Sequence, residues 1–380
     1  MMIIESKFKE TEIGLIPEDW DIVKVSNVSK INELNIDKTF KQEEIEYLDT
    51  SSTDNGQILE WQILNIKDAP SRAKRILRNN DIVISTVRPN LKHFAFMNNV
   101  KKNSIASTGY AVATPFDISP YFLYKSLTTD NITNYLSRVA DTSTTTYPSF
   151  RPEALKELKI PFPPIKEQEK IAEVLGVLDE RIELNRKMNK TLEQIAQAVF
   201  NNRFLNNKNN KIGKLKDIAR IITGKRPINR SGIQTEEFDI PIIGANSIMG
   251  YTDESLFENE NVIITGRVGT LGTLHRTHDA CWTSDNALIT LSDYPNFTYQ
   301  LMKNIDFDSL NRGSTQPLIT QTDLQNYPLM LPTNSEIEKY EKFAESLDKL
   351  ACKNNYQIET LSQIRDSLLP RLMSGELRVR

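Results

Sequence analysis

The sequence predicts a mixed α+β fold: two globular regions joined by two long helices that form an antiparallel coiled coil, with an internal pseudo-twofold repeat. Three observations predict it. The chain repeats itself at a fixed offset, each copy ends in a long run with heptad spacing, and each copy contains short β-branched runs.

The repeat is clearest at the end of each half. A shift of 169 positions carries Leu155–Pro163 (LKELKIPFP) onto Leu324–Pro332 (LQNYPLMLP) and Pro148 onto Pro317. Without a gap, the same shift pairs Glu167 with Glu336, Lys170 with Lys339, Leu178 with Leu347, Asp179 with Asp348, Asn185 with Asn354 and Ile195 with Ile364. Self-similarity of this kind makes each half one structural unit. The front parts match loosely. Lys24–Val28 resembles Lys214–Ile218, and Asp81–Ser85 resembles Asn261–Thr265, two runs that read as buried strands. Divergent fronts on a shared ending are what a binding protein varies.

The predicted bounds are a globular region over 1–160, a helix over 165–205, a second globular region over 210–332 and a helix over 335–373. Pro161, Pro163 and Pro164 close the first globular region, because proline cannot extend a strand ladder. From Ile165 to Phe204 there is no proline and one glycine, Gly176. One seam holds Ile171, Leu178, Asn185, Leu192 and Val199; the other holds Val174, Arg181, Met188 and Ile195, with Leu175 and Ile182 widening the stripe. In the second helix the seams are Tyr340, Leu347, Asn354, Leu361 and Leu368, and Phe343, Leu350, Gln357 and Ile364. Ser335 with Glu338 reads as a capping box, and Pro370 and Gly375 mark the end. Each helix of roughly 40 residues spans about 60 Å, and the simplest cover for so long a stripe is the other helix. Asn185 and Asn354 then fall at equivalent seam positions, close together in an antiparallel pair, where a buried asparagine fixes register; the competing reading is that both sit at a hydrated point. Such a rod acts as a spacer, and pseudo-twofold halves of different sequence suit two unlike half-sites on one duplex.

Composition narrows the class. The 380 residues suffice for two or three domains, and 26% charged with 39% hydrophobic residues is ordinary for a soluble globular protein. A net charge of −3 argues neither for nor against a nucleic-acid partner, since a local basic face can sit on a neutral protein. Two cysteines, Cys281 and Cys352, suggest no disulfide framework and point to a reducing cytoplasm. No apolar run reaches the roughly 18 residues of a membrane span, and no secretory leader is expected.

Several segments carry a resemblance. Ile160-Pro161-Phe162-Pro163-Pro164-Ile165-Lys166-Glu167-Gln168-Glu169-Lys170-Ile171, continuing to Leu175, Leu178 and Asp179, resembles the first conserved region of Type I restriction–modification specificity (S) subunits. Leu368–Val379 is similar to the family's C-terminal signature, Ile13–Trp20 to its opening, and Gly266–Gly272 with Trp282–Ala287 to a stretch of its recognition domains. The resemblance covers essentially the whole chain, through the order and spacing of the segments. It implies two target-recognition domains that each read half of a split, asymmetric sequence in double-stranded DNA, and conserved helices that set the spacer. It also implies two methyltransferase (M) subunits and nuclease-translocase (R) subunits as partners. No cofactor is expected in this chain; S-adenosylmethionine, ATP and Mg are expected on the partner subunits. The second helix departs from the pattern, opening with Pro332-Thr333-Asn334-Ser335-Glu336-Ile337 in place of the Pro-Pro…Glu-Gln of the first, so equal binding of two M subunits does not follow from it.

No catalytic residue is expected. The Asn/Asp-Pro-Pro-aromatic motif of amino-methyltransferases is absent, and Gly224-Lys225-Arg226 lacks the earlier glycine and the hydroxyl of a phosphate loop. Glu5-Ser6-Lys7 lacks the preceding Pro-Asp of a nuclease site. His275, His278 and Cys281 have metal-like spacing but no fourth ligand nearby, and a loop tip with two solvated histidines and a buried cysteine explains them without a metal. Two rivals remain: an enzyme with its own methylation or cleavage site, and a protein-binding adaptor.

Phosphate contacts call for Arg, Lys or hydroxyls, and base readout for Arg, Asn, Gln or small hydroxyls. In the first region the candidates are Arg72, Lys74 and Arg75, then Arg88, Lys92 and His93 after a strand, and Thr145 and Thr146 in a polar loop. In the second they are Lys225, Arg226, Arg267 and Arg276, with Ser314, Thr315 and Gln316 in the place of Thr145–Tyr147.

Overall fold

The computed structural model describes residues 7–142, 147–205, 207, 210–245, 247–258, 260–269 and 271–379. Thr145 and Thr146 lie outside the described residues. The helices are α1 (Pro120–Leu127), α2 (Asp130–Asp141), α3 (Pro152–Glu157), α4 (Ile165–Phe200), α5 (Pro295–Met302), α6 (Gln321–Gln325) and α7 (Asn334–Met373). The chain divides into two compact units, Met1–Glu183 with Ile358–Arg380, and Leu184–Gln357. Each unit therefore contains part of α4 and part of α7.

The first unit is built on two four-stranded sheets. One runs in the order Phe94–Phe96, Ile82–Ser85, Tyr110–Pro115, Ser29–Ile31 and is antiparallel throughout. The other runs Gln62–Asn65, Glu44–Leu48, Ser104–Ser107, Ala73–Ile76, with Glu44–Leu48 parallel to Ser104–Ser107. Ile82–Ser85 is buried along its whole length, as its unbroken β-branched run requires. The core joins Trp20, Ile82, Ile84, Phe122, Leu155 and Ile160 to Ile171 and Leu175 of α4 and Leu372 of α7.

The second unit repeats this plan. Its antiparallel sheet runs Leu274–Thr277, Val262–Gly266, Ala287–Leu291, Arg220–Thr223, the same order as in the first unit. A smaller sheet runs Ile248–Thr252, Ile240–Ile243, Trp282–Thr283, and its last pair is again parallel. It has no counterpart of Ala73–Ile76, so the strand carrying Lys74 and Arg75 belongs to the first unit alone among the described residues. Helices α1 and α5 also correspond: each opens with proline in its first turn and buries a phenylalanine, Phe122 or Phe297. Phe297 packs with Phe200, Phe204 and Tyr340 at ring centroid distances of 5.3–6.0 Å.

Within each unit the segments of α4 and α7 run antiparallel. In the first, Asp179 of α4 accepts a hydrogen bond from Arg365 of α7 at 2.9 Å. In the second, Tyr340 of α7 donates to the Ala196 carbonyl of α4 at 2.9 Å. The heptad is present, but one seam is displaced by one residue. Leu175, Ile182 and Ala196 are buried where Val174, Arg181 and Ile195 were expected, and Ala344 is buried where Phe343 was expected. The stripe is wide enough to admit both phases, and the one chosen buries Ala196 and Ala344 in place of the larger Ile195 and Phe343. Asn185 and Asn354 are buried as expected, but they do not bond to each other. Asn185 donates to Gln357 at 3.1 Å and Asn354 to Asn189 at 2.8 Å. The start of α7 also differs from expectation. Glu336 accepts from the Thr333 backbone N–H at 2.9 Å and its hydroxyl at 2.7 Å, so the cap lies two residues before Ser335–Glu338. Pro370 sits inside the helix rather than ending it.

Three motif segments of the first unit meet at one buried ion cluster. Arg378 bonds both carboxylate oxygens of Asp19 at 2.8–2.9 Å and both of Glu167, the Nη2 contact being 2.7 Å. Its guanidinium lies 5.4 Å from the Trp20 ring, and Trp20 Nε1 donates to Glu167 at 3.1 Å. Gly375 reaches this place with φ +74°, and a Cβ there would fall 2.4 Å from Pro17. Only glycine combines that conformation with so close an approach.

Candidate nucleic-acid interface

In each unit several of the cationic candidates gather at the end of the antiparallel sheet where the fully buried strand terminates. In the first unit, Ile82–Ser85 leads into Thr86–Arg88. Val87 bridges to Ser149, the Arg88 N–H donates to the Pro148 carbonyl at 2.9 Å, and the Arg88 guanidinium lies 4.9 Å from the Tyr147 ring. Lys92 and His93 join at the same edge, where the Ser85 N–H donates to the His93 carbonyl at 2.8 Å. Arg72 is tied in through its carbonyl, which accepts from Thr108 at 2.8 Å beside Gly109, itself the acceptor for Thr86.

The second unit makes the same junction. Val262–Gly266 leads into Arg267–Gly269, Val268 bridges to Leu318, and the Gly269 N–H donates to the Pro317 carbonyl at 3.0 Å. Lys225 and Arg226 close the other side, with the Lys225 N–H on Thr283 at 3.0 Å. Gly224 is needed there, since a Cβ would sit 2.1 Å from the Ser284 carbonyl oxygen. The loop holding exposed Ser314, Thr315 and Gln316 is braced from within: Asn311 Oδ1 accepts from Gly313 at 2.9 Å and Leu318 at 3.0 Å. Recognition side chains on such a loop are presented by a rigid scaffold.

The electrostatics suit exchangeable anion contacts. Arg72 pairs with Asp49 at 3.3 Å, Lys92 with Asp130 at 2.7 Å and Arg226 with Asp285 at 2.7 Å, all with exposed cations. Exposed pairs of this kind contribute only about 0–1 kcal/mol, so a phosphate can displace the carboxylate at little loss. Arg88 and Lys92 hold left-handed backbone angles, φ +47° and +55°. Such strain in non-glycine residues clusters at functional sites. In the second unit the residue at the place of Arg88, just after the bridging valine, is Gly269 with φ +83°.

Comparison with known proteins agrees with this duplication. The profile described as Type I restriction modification DNA specificity domain matches twice, over residues 17–194 and 207–363. The chain belongs to that family. Among curated relatives, it is 25% identical to the Type I restriction enzyme MjaIX specificity subunit of Methanocaldococcus jannaschii, over 99% of this chain and 97% of that one. It is 31% identical to the HindI specificity subunit of Haemophilus influenzae, over 49% of this chain and 41% of that one. The S subunit structure from M. genitalium shares the fold, with a TM-score of 0.57 at 17% identity, covering 97% of this chain and 99% of that one. No helix among the described residues is long and apolar enough to cross a membrane.

Not every expected contact of this specificity subunit lies at the sheet ends. Lys74 is exposed and Arg75 donates to Asn35, both on the edge strand Ala73–Ile76. Arg276 is directed inward. It bonds to Asp348 of α7 and to Asn296, and lies 4.8 Å from the Tyr299 ring. His275 lies in a strand with Arg276, not at a loop tip, and both His275 and His278 are half-buried. Cys281 is buried, and burial raises its thiol to about 11.

Sequence reasoning missed Arg312, exposed beside Ser314 and bidentate to Asp323 at 2.8–3.1 Å, and missed the partners that lock the helices. Asp179 was visible only as half of a repeated pair. It takes Lys125, Tyr121 and Arg365 together. Burial opposes its ionisation, but these donors more than offset that and hold the carboxyl below its ordinary range.

Proposed function

We propose that each unit reads one half of a split DNA target through the loop cluster at its sheet end, and that the chain carries no chemistry of its own. The observation that supports this most strongly is the repeated junction, Val87–Ser149 in one unit and Val268–Leu318 in the other. The same strand end and the same return segment are retained while the side chains around them differ. Different side chains on a common frame are what two unlike half-sites require.

In this reading Arg72, Arg88 and Lys92 serve the first half-site, and Lys225, Arg226, Arg267, Arg312 and Ser314–Gln316 the second. Lys and Arg meet phosphates, while Gln316 and the arginines have the bidentate geometry for base edges. The methyltransferase subunits do the base flipping on adenine with S-adenosylmethionine; ATP and Mg belong to the nuclease-translocase subunits. The exposed apolar residues of the helices, among them Val177, Leu184, Leu350 and Tyr356, offer contact surface for the M subunits. The complex works in the cytoplasm, where the host DNA lies.

The test is selection from a random duplex library by the chain with its M subunits. Enrichment of one bipartite motif supports the reading. Binding without sequence preference contradicts it, and methylation by the chain alone would favour the enzyme alternative.

A further inference from the structure

We propose that His278, Asp348 and Cys352 form a binding site for a divalent, thiophilic cation of the zinc class, within the second unit. One donor atom from each of these residues, an imidazole nitrogen, a carboxylate oxygen and a thiol sulfur, lies within 4.8 Å of the others. Zinc bound at about 2.0–2.3 Å places its tetrahedral donors roughly 3.3–3.8 Å apart. The cluster therefore needs a closure of about 1 Å, within reach of side-chain rotation.

Two further observations point to a ligand. His278 Nε2 stands 2.9 Å from Asp348 Oδ2, yet that nitrogen is shielded from water and makes no aligned hydrogen bond. An imidazole nitrogen this close to a carboxylate, with no aligned hydrogen bond between them, is placed to share a cation with it. The second observation comes from the repeat. Asp179, the counterpart of Asp348, is neutralised by two side chains of the protein, Lys125 and Arg365. In the second unit the residue at the place of Lys125, five after the aligned helix proline, is Gln300, which carries no charge. Arg276 supplies one cation to Asp348. In place of a second cation, the groups beside Asp348 are an imidazole and a thiol.

The surroundings have the form of a supported site. Arg276 holds the other oxygen, Asp348 Oδ1, and is itself held by Asn296 and stacked on Tyr299. Outer partners that fix a ligating carboxylate are usual at metal sites. Three protein ligands leave a fourth position for water. The result reverses the sequence reading for His278 and changes its companions. Cys281 packs instead with Phe257, Val262 and Ile264, while α7 supplies the two ligands that sequence spacing could not show. A bound cation would clamp the segment after Leu274–Thr277 to α7.

The experiment is a cobalt(II) titration of the full chain after chelator treatment. The expected result is a sulfur-to-cobalt charge-transfer band that saturates at one equivalent and is bleached by zinc. Cys352→Ser abolishes the band, His278→Gln weakens binding tenfold or more, and Cys281→Ser leaves it unchanged. Zinc raises the melting temperature of the wild-type chain and not that of Cys352→Ser. No band in the wild-type chain, a band that depends on Cys281, or a titration unaffected by His278→Gln overturns the proposal.

Discussion

Replacing Arg378 by alanine removes the ion that ties the C-terminal segment to the opening motif and to α4. The side chain is 2% exposed and Glu167 only 6%, whereas Asp19 is 50% exposed. Without the guanidinium, Glu167 keeps Trp20 Nε1 as its donor but no counter-charge. Stranding one member of a buried pair costs about 3–5 kcal/mol, while half-exposed Asp19 regains water and contributes no more than about 1 kcal/mol. With a urea dependence of about 2 kcal/mol per molar, the first unit's midpoint should fall by about 2 M. Two units need not unfold together, so the readout must separate them. Hydrogen exchange of Ile82–Ser85 reports the first and of Val262–Gly266 the second. Protection should collapse in the first strand and stay within error in the second. Arg378→Lys, which keeps the charge but not the fork, should lose an intermediate amount. A loss under about 1 kcal/mol, or an equal loss in both strands, would refute the reasoning.

Other expectations follow from single sites. Arg88→Gly should be more stable than Arg88→Ala by about 1 kcal/mol, because both lose the side chain but only glycine relieves φ +47°; equal melting temperatures would contradict this. Asn354→Leu should cost about 1 kcal/mol by removing the hydrogen bond that this buried amide donates to half-buried Asn189, read by chemical denaturation of the second unit. Hydrogen bonds from Arg312 and Thr320 hold Asp323 down to about 2, and Asp179 lies below its ordinary 3.8. Both folded values lie below the unfolded ones, so their stabilisation is complete above 3.8 and is lost as pH falls through the folded values. The urea midpoints should hold steady from about pH 7 to about pH 5 and drop between about pH 4 and about pH 2.

The duplication and the buried strands were legible because each leaves a one-dimensional trace: a constant offset, and a β-branched run such as Ile82–Ile84. The seam phase was not, because Val174 and Leu175, or Ile195 and Ala196, are both apolar, and only the partner helix decides which turns inward. The cap at Thr333–Glu336 overlaps Ser335–Glu338 in the same way: two capping patterns two residues apart are indistinguishable until the chain direction before the helix is known. Arg88 was found as a cation after a strand, but its neighbours at Pro148 and Ser149 are distant in sequence, and no local pattern joins them. Arg276 shows the reverse. By sequence it is another cation in a basic stretch, and only the fold reveals that it points at Asp348.

The most direct measurement is sequencing of methylated adenines in a host that carries this chain with its methyltransferase partner, compared with Arg88→Ala and Arg267→Ala. One interrupted motif is expected, with the first variant relaxing one half and the second variant the other. An uninterrupted motif, or two variants that alter the same half, would contradict two separately reading units.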